Sequence, residues 1–252
     1  MPLKKKTESA ALSAAPVSQA VKVGDITAAL RQAIRPAKSE ILSRFFKTGP
    51  GQYGEGDKFW GVMVPDQRAI AKRFKAAPLE VIEQLIKSLI HEQRLTALLI
   101  LVEQYQAAGE RGKKRIVDFY LRHTKSINNW DLVDLSADKI LGAYLFDRSR
   151  AELYALAKSK SLWERRIAIV ATLNFIRQKD LADTFKIAAM LLGDKEDLIH
   201  KACGWMIREA GKRDQAAAEA FIKVHIRAMP RTMLRYAIER LPVDKRQFYL
   251  KF

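Results

Sequence analysis

Apolar residues in this chain recur at every third and fourth position from about residue 23 onward, and that spacing constrains the fold more than any other feature of the sequence. A period near 3.6 puts such residues on one face of a helix, whereas a half-buried strand needs strict alternation. Leu79, Ile82, Leu85, Ile86 and Leu89 form one stripe, Ile167, Val170, Leu173 and Phe175 another, and Leu181, Phe185, Ala188 and Leu192 a third. Helix boundaries fall at the right kinds of residue. Pro65-Asp66, Pro78 and Pro230 suit first turns, Ser39 precedes Glu40-Ile-Leu as a cap, and Gly193-Asp194 and Gly211 follow apolar runs. Only Phe59 to Val64 reads as briefly extended. The expected fold is all-α, with roughly thirteen helices of about 10–18 residues joined by short connectors.

A longer period separates a bundle from a stack. Trp130, Arg166 and Trp205 each fall in a helix, at intervals of 36 and 39 residues (166 − 130 and 205 − 166). Helical pairs of the HEAT type repeat at about 40 residues. The chain therefore reads as an α-solenoid of HEAT-like repeats, with one helix of each pair lining a curved, concave face. Residues one period apart then lie side by side on that face. Residues 1–22, rich in Lys, Ser and Ala, read as a flexible basic tail, and 23–252 as a single solenoid domain.

Charge narrows the partner. Forty-five Lys and Arg against 28 Asp and Glu leave a net charge of +17. Such an excess suits a polyanion, meaning nucleic acid or an anionic membrane surface. Beyond Lys4-Lys5-Lys6, the basic residues are spread through the helical body. The longest apolar run, Leu95 to Val102, is far below the ~20 residues a bilayer requires, so no membrane span is expected. A lone Cys203 excludes a disulfide framework, and His91, His123, His200 and His225 are too scattered for a zinc site. No metal or other cofactor is expected. The N-terminal residues lack the apolar core of a secretory signal, which favours a cytoplasmic protein, associated with the nucleoid when bound to DNA.

Gly49-Pro-Gly51-Gln-Tyr-Gly54 matches G-x-G-x-x-G in form, but no strand precedes it, so residues 48–57 read as a helix–helix connector. Trp130 and Asp134 carry more information. Four residues apart, they share one helix face, while Leu132, Val133 and Leu135 supply the buried side. An aromatic ring and a carboxylate then project together, with Arg166 and Trp205 arriving one and two repeats later.

At these residues the sequence resembles the DNA alkylation repair family, the AlkD-like DNA glycosylases. The resemblance spans about residues 35–240 and is carried by four segments: Trp60-Gly-Val-Met-Val-Pro65-Asp-Gln-Arg68, Asn129-Trp130-Asp131-Leu-Val-Asp134, Leu162-Trp163-Glu-Arg-Arg166, and Lys201-Ala-Cys-Gly204-Trp205-Met-Ile-Arg208-Glu209. It implies hydrolysis of the N-glycosidic bond of cationic N3- or N7-alkylated purines in duplex DNA, by a protein acting as a monomer. It further implies that the lesion stays stacked while the enzyme holds the backbone. Under that resemblance Asp134, Trp130 and Trp205 are the catalytic residues. Arg166 would grip a flanking phosphate, joined by Arg165, Arg208 and Lys201 as DNA-binding residues. Two alternatives use the same fold: a non-catalytic binder of branched or distorted DNA, and a protein-binding scaffold whose charge is incidental.

Overall fold

The computed structural model describes residues 20–252, and the expected tail lies, but for its last three residues, outside them. Helices follow one another throughout: α1 (Val23–Gln32), α2 (Pro36–Phe45), α3 (Val64–Arg73), α4 (Leu79–Ile86), α5 (His91–Ala107), α6 (Glu110–Arg122), α7 (Trp130–Asp134) and α8 (Ala143–Leu145). A second series comprises α9 (Ala151–Ala157), α10 (Leu162–Ala171), α11 (Leu173–Arg177), α12 (Ala182–Met190), α13 (Asp197–Gly211), α14 (Gln215–His225), α15 (Arg231–Ala237) and α16 (Val243–Leu250). No strand occurs among the described residues. The all-helical expectation holds, but many helices are shorter than the 3.6-residue pattern suggested. A π-helical turn at Asp138–Gly142 separates α7 from α8, and Thr172 divides α10 from α11, although the apolar stripe runs on through both breaks. Periodicity reports which side is buried and does not register a local change of helical pitch.

Stacking builds the molecule. Helices α3 and α4 both pack on α5, which is buried on nearly every face and contains the apolar run Leu95–Val102. From there an inner series continues: α5 against α7, α7 against α10, α10 against α13, and α13 against α15. Helices α6, α9, α12 and α14 pack against members of that series. This is the α-solenoid read from the period, with Trp130, Arg166 and Trp205 on successive inner helices.

Local chemistry explains the boundaries. Pro65 sits in the first turn of α3, while Pro78 and Pro230 stand one residue earlier than expected, at the N-caps of α4 and α15. Asp214 caps α14 by accepting from the Ala217 N–H at 2.9 Å. Ser39 is not a cap: α2 begins at Pro36, and the Ser39 hydroxyl instead donates to the Phe59 carbonyl at 2.6 Å. Leu89 leaves its stripe because α4 ends at Ile86, and it is exposed. The stretch expected to be extended forms no strand: Gly61 bends it with a φ of +87°, Val64 already begins α3, and a single bridge joins Lys58 to Ile90 at its start. The buried Glu92 carboxylate holds this segment by accepting the N–H groups of Trp60, Gly61 and Val62 at 2.8–3.2 Å. Three backbone donors with no helical partner are thus satisfied inside the fold.

Candidate nucleic-acid interface

The inner helices open onto a cavity of about 470 Å³. Its floor starts at α7. Asn129 caps that short helix, its side-chain oxygen accepting the Trp130 N–H at 2.8 Å. Trp130 therefore occupies the first helical position, and Asp134, one turn on, faces the same cavity. Behind Trp130 stands a column of rings. Phe46 stacks on Trp130 at 5.0 Å, and Phe46 and Phe59 lie against each other and against His91 at 4.5–4.9 Å.

A buried polar relay fixes the same corner. The Asp57 carboxylate, at the end of the 48–57 connector, accepts from His91 Nδ1 at 3.0 Å, Arg94 Nη2 at 2.6 Å and Asn129 Nδ2 at 3.1 Å. His91 Nε2 meets the Asp131 carboxylate at 2.8 Å. Burial alone would depress the His91 pKa, but the Asp131 and Asp57 carboxylates outweigh it and raise it. Burial likewise pushes Asp57 up, and its bonds to His91 and Arg94 hold it below the ordinary carboxylate range. His91 is thus a satisfied core histidine that orients α7. Among the described residues, no three His, Cys, Asp or Glu side chains gather where a metal could sit.

Helix α10 supplies Arg166. Its Nε and Nη2 donate to the two Asp134 oxygens at 2.9 and 2.8 Å, and Nη1 donates to the Leu198 carbonyl. Arg166 is buried and Asp134 nearly so, with 16% of the carboxylate side chain exposed. Burial raises the Asp134 pKa, and the guanidinium opposes the rise. The expected grip of Arg166 on a phosphate meets this geometry: its fork is already engaged, clamping the carboxylate. Arg165 does not join Arg166 in the cavity. Adjacent residues on a helix point about 100° apart, and Arg165 turns away to Asp194 at 2.6 Å and to the Ser159 and Lys160 carbonyls, outside the cavity.

The opposite wall comes from α13 and α15. Lys201, Trp205 and Arg208 recur along one face of α13, and Tyr236 of α15 stands beside them. Gly204 permits that approach, since a Cβ there would lie 2.4 Å from the Met233 carbonyl oxygen and 2.6 Å from the Tyr236 Cβ. Lys201 pairs with Asp197 at 2.7 Å, and Arg208 pairs with Glu239 and Glu209. Cys203 is buried in this wall, and burial pushes its thiol pKa up.

Three lining residues lie where the helical pattern gave no guidance: Phe45 at the end of α2, Lys47 just past that end, and Tyr53 on the connector. Phe45 is 60% exposed and meets Trp130 edge-on at 5.8 Å. Tyr53 lies edge-on to Trp163 at 6.2 Å, and burial raises its pKa. Their signal in the sequence was an aromatic residue amid glycines, and a Phe-Phe pair at a helix end.

Fold and site together define a class: a helical-repeat protein whose inner face carries a basic, aromatic-walled pocket around one clamped carboxylate. The chain belongs to the family of DNA alkylation repair enzymes, whose family model matches residues 26–241. Among solved structures it is similar to a protein described as a predicted DNA alkylation repair enzyme from Enterococcus faecalis. That similarity has a TM-score of 0.64 at 18% identity, covering 83% of this chain and 97% of the other. No curated protein matches. Family membership makes DNA repair enzymology its role, with DNA as the substrate. No helix among the described residues is long and apolar enough to cross a membrane.

Proposed function

We propose that this pocket hydrolyses the N-glycosidic bond of cationic N3- or N7-alkylated purines in duplex DNA. The observation that carries the reading is the carboxylate of Asp134 set among Trp130, Trp205, Tyr53, Tyr236 and Phe45 in one cavity. Aromatic faces attract cations, by about 2 kcal/mol or more where water is excluded. A neutral base would gain little from the carboxylate. A purine made cationic by alkylation, and the cationic sugar left when it departs, both gain.

Each residue then has a part in the step. The C1′–N9 (or equivalent) bond breaks and its electron pair returns to the purine, cancelling the positive charge. Water supplies the new C1′–O bond, and its proton is released. The leaving group needs no acid, so the barrier is the oxocarbenium-like sugar. Asp134 stabilises that charge and orients the water. A carboxylate has about four acceptor positions, and Arg166 uses one on each oxygen. The Arg166 fork fixes the direction of the remaining two. Trp130 and Trp205 hold the nucleotide from opposite walls, and Lys201 and Arg208 face the backbone.

The test is release of modified purine from methylated duplex DNA by wild type and Asp134→Asn, with DNA affinity measured in parallel. The expected result is release by the wild type and a loss of about a hundredfold in the variant, or about 2.7 kcal/mol of transition-state stabilisation, at similar affinity. Equal release by both would remove Asp134 from the chemistry. A second reading, a non-catalytic binder of distorted DNA, is favoured by the bidentate closure of Asp134 onto Arg166, which a purely structural ion pair would share. Binding without any release selects it.

A further inference from the structure

Four cations line the pocket, and three of them already hold a carboxylate. Arg166 is clamped to Asp134, Lys201 to Asp197, and Arg208 to Glu239 and Glu209. The fourth, Lys47, is exposed and has no ion pair among the described residues. Its ammonium lies 6.0 Å from the centre of the Tyr53 ring, at the rim of the cavity.

The backbone at Lys47 is the second observation. Its φ is +53°, in the left-handed region. Lys47 ends α2 in a Schellman motif: its N–H donates to the Arg44 carbonyl at 3.2 Å, and the Thr48 N–H to the Ser43 carbonyl at 3.2 Å. The left-handed position of this motif is usually glycine, because a side chain there costs about 1 kcal/mol or more. The surrounding loop enforces the conformation. Gly54 N–H donates to the Lys47 carbonyl at 3.1 Å, and Gly54 packs so closely that a Cβ on it would fall 2.4 Å from the Phe46 carbonyl oxygen. Asp57 then anchors the far end of the connector. The chain thus carries a lysine where backbone energetics favour glycine, and aims it at the pocket. Strained residues of this kind collect at functional sites.

We propose that Lys47 is a further backbone contact of this pocket, beside Lys201 and Arg208, its ammonium gripping the DNA phosphate next to the nucleotide held over Asp134. The inference rests on the DNA reading given above, and it moves to Lys47 the phosphate role that the sequence assigned to Arg166. A lysine ammonium suits a phosphate as a compact point charge.

The experiment measures binding of the full chain to a short duplex, unmodified and methylated, across a salt series. Wild type, Lys47→Gly, Lys47→Gln and Lys223→Gln are compared, the last removing an exposed lysine of α14 outside the pocket. Each phosphate contact contributes about 0.9 to the slope of log affinity against log salt. Both Lys47 variants should lose about that much, and Lys223→Gln should not. Lys47→Gly should also melt no lower than wild type, since glycine relieves the left-handed strain, which separates lost contact from lost folding. A wild-type slope in the Lys47 variants overturns the proposal, as does an equal loss in Lys223→Gln or an absence of DNA binding by the wild type. Purine release is scored separately. A Lys47-dependent slope without release sustains the contact and removes the glycosylase; release with an unchanged slope does the reverse.

Discussion

Replacing Arg166 by methionine tests whether this side chain serves Asp134 or the DNA. Methionine keeps much of the aliphatic stem and deletes the guanidinium. The structure then leaves the Asp134 carboxylate without two hydrogen bonds of 2.8–2.9 Å, in a site where 16% of that side chain is exposed. Removing one partner of a buried pair costs about 3–5 kcal/mol. The residual exposure places this case near the lower figure, about 3 kcal/mol. For a chain of this size that is a fall in Tm of roughly 6–12 °C. Asp134→Asn combined with Arg166→Met should recover much of the loss, because no buried charge is then stranded. A double-mutant cycle by urea unfolding measures the coupling. The pH profile of purine release supplies an independent readout. Asp134 must be ionised to act, and its pKa already lies above the ordinary range because of burial. Losing the opposing guanidinium raises it further, so activity should fail at a higher pH on the acid side than in the wild type. Independent, additive losses in the cycle together with an unmoved acid limb would refute the clamp. A smaller salt slope in place of those effects would return Arg166 to the phosphate.

Two more predictions concern the scaffold of the pocket. Because the folded pKa of His91 is raised, its contribution to stability is complete below the ordinary histidine value of about 6.5 and is lost as pH rises through the folded value. Urea unfolding from about pH 6 to about pH 9 should show that decline, and His91→Gln should remove this part of it; an unchanged slope in the variant counts against the relay. Gly204→Ala should separate α13 from α15, lowering stability by about 1–3 kcal/mol and weakening DNA binding as Tyr236 withdraws. Wild-type melting and affinity in that variant would show that the contact is not needed.

How much of this was legible in the sequence depends on distance along the chain. Trp130 and Asp134 share a helical turn, and Arg166 and Trp205 follow at the repeat period, so local geometry and one long period sufficed to bring them together. Arg165, named beside Arg166 through the resemblance, is turned about 100° away from it by helical rotation and pairs with Asp194 outside the cavity. Ser39 looked like a cap because its partner, the Phe59 carbonyl, lies beyond α2 and has no local signature. Lys47 and Tyr53 were invisible for a different cause. They sit on the stretch between α2 and α3, whose shape is set by left-handed residues and by the anchoring of Asp57 on His91, Arg94 and Asn129, none of which is periodic. Periodicity finds residues that helices place, and misses those placed by a folded loop.

The Arg166 fork has a mechanical consequence. Phe46 stacked on Trp130, and Asp57 bonded to Asn129 and to His91, fasten the connector and α7 into one jaw of the pocket. Trp205, Arg208 and Tyr236 belong to the other jaw, built on α13 and α15. Arg166 spans the two, with Asp134 on one side and the Leu198 carbonyl on the other. It is a clasp at the base of a vice, so the width available to a nucleotide between the two jaws is tied to the spacing of α7, α10 and α13.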